Sequence, residues 1–162
     1  MKLAMRSDTS GFTLIELMIV VSLIAIISAF AFPSYIDYLK ESRRSDGIVH
    51  LTSAANFQER QMTRTGDYTD SVSKLGGNES ESGYYDLTVA TNVSAAAVPT
   101  PGPSGITAID LSCGQPRCFV TAVTVQSAQL TDTDCAHFVI DQVGRKRSFN
   151  SVGTLNDPDI CW

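Results

Sequence analysis

Apolar residues form one unbroken run near the start of the chain, over positions 12–32, in which Glu16 is the one charged residue. As an α-helix this run would be about 31 Å long, close to the hydrocarbon thickness of a bilayer. A lipid-facing segment must be helical because hydrocarbon offers its backbone groups no other hydrogen-bond partners. The run therefore predicts a membrane-spanning helix whose carboxylate needs a partner, since an ionised group in lipid is costly.

A second helical pattern follows Pro33 and extends over 36–64. Its apolar positions recur at helical spacing and predict a face packed on a sheet: Ile48, Leu51, Ala55 and Met62. The charged positions of the same stretch are expected to face water: Arg43, Arg44, Asp46 and Glu59. Pro33 deletes one backbone hydrogen bond, which predicts a kink or local melting there. Gly47 weakens a helix by about 1 kcal/mol relative to Ala, so close packing must compensate.

Strand patterns fill the rest of the chain. Residues 66–83 are rich in glycine and polar residues and predict a loop. Alternation over 84–89 and the β-branched or apolar stretches 119–126 and 136–141 predict strands, with a turn at 143–145. Prolines and glycines over 95–105 predict a long connection, and the last dozen residues an irregular end. One long helix followed by several strands predicts an α+β fold with an antiparallel sheet.

The apolar run alone leaves three interpretations open. It could be a secretory signal peptide, with Lys2 and Arg6 as its basic end and cleavage after Ala31. It could be a single-pass anchor in which Glu16 reaches the interface. It could also be a buried core helix, although 162 residues allow one globular domain beyond the helix and could hardly cover it on all sides.

The residues from Gly11 to Glu16 read Gly-Phe-Thr-Leu-Ile-Glu and continue into the apolar run, which resembles the prepilin motif of the type IV pilins. The Pro-Ser-Tyr sequence after the run is similar to the family again. This resemblance implies that a membrane peptidase cuts between Gly11 and Phe12 and methylates the new amino terminus of Phe12. It also implies that Glu16 pairs with that amine in a neighbouring subunit, which would resolve the buried charge.

The resemblance implies three segments: a leader at 1–11, a transmembrane and filament-core helix at 12–34, and a globular pilin domain at 35–162. It implies a single-pass protein of the inner membrane that later enters an extracellular pilus. The implied partners are other pilin subunits, the assembly machinery and the prepilin peptidase. No catalytic residues, cofactor or metal are expected, so the chain is expected to act by assembly and not as an enzyme.

The C-terminal half resembles the end of minor pilins, through residues 134–144 and a terminal Cys-Trp pair. A secretion-system pseudopilin is the alternative within the class, and the four cysteines argue against it. All four lie at or after position 113, and an even number in an exported domain indicates disulfides. The resemblance implies a Cys135–Cys161 bridge, with Cys113 and Cys118 as the second pair; other connectivities stay open.

The sequence offers two candidate metal sites. A zinc site formed by Cys113, Cys118, Cys135 and His137 is one, but these residues lack the paired spacings of zinc modules. In the periplasm the cysteines are expected to form disulfides instead of binding zinc. The candidate calcium ligands are four acidic residues: Asp132, Asp134, Asp157 and Asp159. Their spacing does not match that of a calcium-binding loop, so solvated turn residues are the better interpretation.

The dense basic cluster of the chain is Arg145, Lys146 and Arg147, with Arg117 as a fourth candidate. The simple interpretation is a solvated hairpin tip. The alternative is contact with DNA phosphates, because some minor pilins are receptors for DNA uptake and such contacts need no sequence code. Without residues 1–11 the side-chain charge becomes 10 − 16 = −6, from 12 − 17 = −5 in the whole chain. An acidic chain attracts DNA poorly at long range, so no measurable binding is expected.

Overall fold

The computed structural model describes residues 11–91, 98–99, 110–111 and 117–162. It contains one long helix, two short 3₁₀-helices and six strands. In chain order they are α1 (Leu14–Thr65), a 3₁₀-helix (Val72–Leu75), β1 (Tyr85–Thr91), β2 (Val98–Pro99), β3 (Asp110–Leu111), β4 (Phe119–Val125), a 3₁₀-helix (Ser127–Thr131), β5 (His137–Asp141) and β6 (Lys146–Phe149).

The chain divides into two compact units after Tyr38. In the first unit every described residue up to Tyr35 is exposed, and its part of α1 is long and apolar enough to cross a membrane. A kink or local melting was predicted at Pro33. The melting is wrong, because α1 continues through this residue without a break, and the kink stays a prediction. A proline inside a helix removes one N–H donor, and the hydrogen bonds of the neighbouring turns keep the chain helical.

The second unit, 39–162, is built around a four-stranded antiparallel sheet in the order β1-β4-β5-β6. Tyr85 of β1 lies opposite Val125 of β4, and Thr91 lies opposite Phe119. Every residue of β4 and β5 is buried, so the central strands are covered on both faces. The predicted strands near 85, 119 and 137 are present. Strand β6 was not predicted as a strand, because its residues are basic and polar.

Helix α1 packs on this sheet through a face that differs slightly from the predicted one. The fully buried positions are Gly47, Leu51, Ala54 and Gln58. Ile48 and Ala55 pack at the edge of this core, whereas Met62 lies outside it. The compensation expected at Gly47 is visible: a Cβ there would lie 2.7 Å from the ring of Tyr85, so only glycine lets the two approach.

The buried amide of Gln58 fastens the loop after α1. Its Nε2 donates to the carbonyl of Thr69, and its Oε1 accepts the Thr69 N–H at 2.9 Å. Both groups of the amide are therefore satisfied, as a buried polar side chain requires. A glutamine in an amphipathic helix would be assigned to the solvent side from sequence alone, so the pattern could not place it in the core.

A second polar contact ties α1 to the short helix that precedes β5. Arg44 donates to Asp132 through Nε at 2.7 Å and through Nη2 at 2.8 Å. Gln129, which is fully buried, donates to the carbonyl of Lys40 and to Asp132. The predictions that Arg44 faces water and that Asp132 is a solvated turn residue are therefore wrong, because each neutralises the other inside the fold.

Candidate functional site

The amino-terminal residues carry the predicted processing and assembly sites. Gly11 and Phe12 precede α1 and are exposed. Thr13 caps the helix, because its Oγ1 accepts the backbone N–H of Glu16 at 3.2 Å. Glu16 lies in the first turn of α1, where a carboxylate interacts favourably with the helix dipole. Cleavage after Gly11, methylation of Phe12 and pairing of Glu16 with a neighbouring amine stay predictions.

Large apolar side chains surround Glu16 along the first unit, and each is about half exposed or more in the single chain. They cover the whole circumference of the helix, from Leu14 to Phe32. A helix that is apolar on all sides belongs in lipid or among other helices. The one carboxylate in this surface therefore lies where only a paired cation or a hydrogen-bond donor would make its burial tolerable.

The three cysteines among the described residues are all disulfide-bonded. Cys135 and Cys161 are bonded, with a sulfur–sulfur distance of 2.00 Å and 5.8 Å between their Cα atoms. This bond ties the end of the chain to the segment just before β5. Cys118 is also disulfide-bonded. Its predicted partner Cys113 lies outside the described residues.

Several of the candidate metal ligands take part in other interactions in the structure. Cys118 and Cys135 have no thiolate to offer because both are oxidised. His137 is buried, with its Nδ1 3.0 Å from Oγ1 of Thr124. Of the four candidate calcium ligands, Asp132 pairs with Arg44 and the other three are exposed. Within the described ranges, no group of three or more such side chains is arranged to hold a metal ion.

Part of the predicted basic cluster lies at one end of the sheet. The N–H of Gln142 donates to the carbonyl of Phe119, which brings the turn after β5 beside the start of β4. Arg117 and Arg145 therefore share this end. Arg145 is paired through Nε with Asp141 at 2.7 Å, although most of its side chain remains exposed. Arg117 is exposed, with a φ of 60°.

The other two basic residues point to opposite faces of the sheet, since neighbouring positions of a strand alternate. Lys146 pairs with Ile140 on the face that packs on α1, and its Nζ lies 4.8 Å from the ring centre of Trp162. Arg147 pairs with Val139 on the other face, and its Nε is buried with no hydrogen-bond partner among the described residues. The three consecutive basic residues therefore form no single patch, and the hairpin tip predicted for 145–147 is shorter, since β6 begins at Lys146.

Burial and local charge raise the pKa of Tyr68, in the loop after α1, and of three residues that belong to α1 and β1. Hydrogen bonding to Asp132 raises the pKa of Arg44. Burial raises the pKa of Tyr85 well above its usual range, and the charge of Asp132 adds to this. Burial also raises the pKa of Asp86, with a further contribution from Glu79, which lies opposite it. The shifts of Arg44 and Tyr85 belong to the packing of α1, and that of Asp86 marks a pair of like charges at the surface.

Two family models match adjacent parts of the chain. Residues 33–139, about two thirds of the chain, match the family described as "Type IV minor pilin ComP, DNA uptake sequence receptor". Residues 6–32 match the family described as "Prokaryotic N-terminal methylation motif". The second match covers the run that contains Gly11, Phe12 and Glu16.

Similar proteins with curated descriptions come from Dichelobacter nodosus. The chain is 33% identical over 116 residues to one called "Fimbrial protein", and the alignment covers 68% of this chain and 71% of that protein. It is 34% identical over 116 residues to a "Type IV major fimbrial protein FimA", and this alignment covers 68% of this chain and 70% of that protein. A solved type IV pilin from Shewanella oneidensis aligns with 76% of this chain and 97% of its own, at 18% identity and a TM-score of 0.47.

Proposed function

The chain belongs to the type IV pilin family, and we propose that it acts as a minor pilin, anchored in the inner membrane until it is built into the filament. Anchoring would use the apolar part of α1, and insertion would move that part from lipid to a core made of other subunits. A pilin is a structural protein, so we assign the chain no catalytic reaction. A prepilin peptidase and the assembly machinery would be its transient partners.

The apolar surface of α1 carries this proposal. Thirteen large apolar side chains from Leu14 to Phe32 are exposed in the single chain, and water-soluble monomers rarely expose so large an apolar surface. Lipid covers such a surface before assembly, and equivalent helices of neighbouring subunits cover it afterwards. The carboxylate of Glu16 then gains a cationic partner, the amine of Phe12 in a neighbouring subunit. This ion pair would favour insertion into the filament and would align the new helix with its neighbour.

A deletion strain tests the proposed function directly. Cells lacking the chain should lose pili or carry fewer of them in electron micrographs, and the wild-type chain supplied in trans should restore the count. A chain from which residues 12–32 have been removed is the matched control and should not restore it. Unchanged pili in the deletion strain, combined with absence of the chain from sheared filaments, would contradict a role as a filament subunit.

DNA binding is the second candidate function, because the family matched over residues 33–139 is described as a DNA uptake sequence receptor. The sheet end with Arg117 and Arg145 offers two exposed guanidinium groups that could contact phosphates. The acidic balance of the chain opposes such binding at long range. A receptor role would therefore depend on short-range contacts at this end and would weaken steeply with salt.

A further inference from the structure

The two ends of the four-stranded sheet differ in charge. Because β1 and β4 are antiparallel, Tyr85 and Val125 mark one end, and Thr91 and Phe119 mark the other. We refer to them as the Tyr85 end and the Phe119 end. Seven residues of extended strand separate these ends by roughly 20 Å. Charges at one end are therefore beyond a Debye length from those at the other at physiological salt.

The Phe119 end presents cations. Arg117 lies two positions before the start of β4, is exposed, and has no ion pair within the described part of the chain. Its left-handed φ of 60° is uncommon for a residue with a side chain. The neighbouring Cys118 is fully buried. Arg117 is therefore held at the surface of the sheet end, with its guanidinium available to a partner.

The Tyr85 end presents carboxylates. Glu79 lies opposite Asp86 in an isolated bridge, where like charges destabilise each other. Glu81, in the loop before β1, is exposed. Among the described residues none of the three forms an ion pair. Arg43 of α1 is a cation beside this loop. Carboxylates nevertheless outnumber it among the described residues of this end, which is therefore negative.

A groove of about 490 Å³ lies at the Tyr85 end, between α1 and the loop before β1. Its walls are formed by both elements: Leu39, Arg43, Asp46, Val49, Glu81 and Tyr84. Asp46 accepts the N–H of Ser82 through Oδ1, whereas its Oδ2 is buried with no donor among the described residues. Val49 beside it is 68% exposed. The groove therefore combines an apolar wall with a carboxylate oxygen that lacks a donor, which is unfavourable in the free chain.

We propose that this groove receives Arg117 of a second copy of the chain, so that the Phe119 end of one copy docks on the Tyr85 end of the next. The aliphatic stem of an arginine suits the wall at Val49, and its guanidinium can pair with the exposed carboxylate of Glu81. Its remaining N–H donors would serve Asp46 once that side chain turns its Oδ2 toward the groove. Positive charge at one end and negative charge at the other also disfavour the reversed contacts.

The contact joins two different surfaces of the same chain, so it is heterologous and repeats head to tail. Such a contact produces an open helical assembly unless its rotation closes a ring. The inference rests on the proposed function, since it describes how consecutive copies would meet in a filament. It adds a contact between the globular units to the one that Glu16 would make between the helices.

Charge exchange in the full-length chain tests the contact. Arg117→Glu and Glu81→Arg should each reduce the amount of chain in sheared filaments at least about tenfold, because each places like charges together. The double variant Arg117→Glu with Glu81→Arg should restore most of it. Arg60→Glu, which changes another exposed arginine of the same unit, is the control and should assemble normally. Unchanged thermal unfolding of each purified variant shows that the fold is intact.

Cross-linking identifies the occupant of the groove. In an Arg117→Lys variant, a carbodiimide should join the new amine to a groove carboxylate and give dimers of the chain, which Glu81→Gln should reduce. Normal assembly of both single variants would overturn the contact. Cross-links exclusively to a different pilin would show that a second copy of the chain does not occupy the groove. The same conclusion would follow if Arg117→Glu and Glu81→Arg each reduced assembly and the double variant did not restore it. Absence of the wild-type chain from filaments is a separate result, and it would contradict the proposed function instead.

Discussion

Arg44 and Asp132 are 88 positions apart in sequence, yet both carboxylate oxygens of Asp132 accept hydrogen bonds from the guanidinium of Arg44, at 2.7 and 2.8 Å. The carboxylate is almost completely buried, whereas the arginine side chain is 19% exposed. Arg44 belongs to α1, and Asp132 directly follows the short helix before β5. The pair therefore joins α1 to the segment that leads into Cys135 and the disulfide.

Replacing Arg44 with Ala should lower the free energy of unfolding by about 3 kcal/mol, because it leaves the buried charge of Asp132 without its partner. Fluorescence of Trp162, which packs on Phe138, would follow denaturant unfolding of the mature chain in detergent. Arg43→Ala is the control: this neighbour lies over the ring of Tyr84, and its loss should cost no more than about 1 kcal/mol. Equal losses in the two variants would contradict the role given to the pair.

Replacing Gly47 with Ala should destabilise the fold by about 1–2 kcal/mol, although alanine is the better helix former. The new Cβ would lie 2.7 Å from the ring of Tyr85, and the strain of overpacking exceeds the gain of about 1 kcal/mol in helix propensity. Ser53→Ala, at an exposed position of the same helix, should be neutral or slightly stabilising. Denaturant midpoints of both variants provide the comparison, and a stabilised Gly47→Ala variant would refute the packing argument.

The helix and the central strands could be predicted because each carries a local pattern. The apolar run, the spacing around Leu51 and the alternation from Tyr85 are visible in short windows of sequence. The burial of Gln58 and Asp132 could not be predicted in this way. A polar side chain enters a core only when a distant partner satisfies it, and Thr69 and Arg44 become partners only through the tertiary fold.

The basic cluster shows the same limit at the candidate site. Three consecutive cations suggest one patch, but strand β6 sends Lys146 and Arg147 to opposite faces. Asp141 in addition takes one hydrogen bond from the guanidinium of Arg145. The motif around Glu16 differs from the basic cluster, because it consists of consecutive residues and is visible in the sequence itself. The surface at the Tyr85 end combines residues of α1 and of the loop before β1, so it could be described only from the fold.

Replacing Glu16 with Ala should leave membrane insertion intact, since removing a charge favours the lipid phase. Incorporation into filaments should fall, because the amine of a neighbouring Phe12 would lose its partner. Fractionation of membranes and sheared filaments, followed by immunoblotting, would measure both. Glu41→Ala alters an exposed glutamate of the same helix outside the apolar run and should assemble like the wild type. Normal assembly of the Glu16 variant would rule out charge pairing.

If the chain is a DNA receptor, binding of duplex DNA should depend on the Phe119 end of the sheet. Each phosphate contact adds about −0.9 to the slope of the log–log salt plot, so Arg117→Ala with Arg145→Ala should reduce its magnitude by about 1.8. The control Arg43→Ala, at the Tyr85 end, should leave the slope unchanged. Titration of the mature chain in detergent would measure these slopes. Lack of binding at low salt, where electrostatic contacts are strongest, would eliminate the receptor role.

If the chain is processed as a prepilin and becomes part of a filament, it should carry the amino terminus of a mature pilin there. Intact-mass and N-terminal peptide analysis of the chain recovered from sheared pili would identify this amino terminus. We expect a chain that begins at Phe12, carries one methyl group on its terminal amine and retains Glu16. An amino terminus at Phe32, as a secretory signal peptide would leave, or a chain found only in the membrane fraction would contradict it.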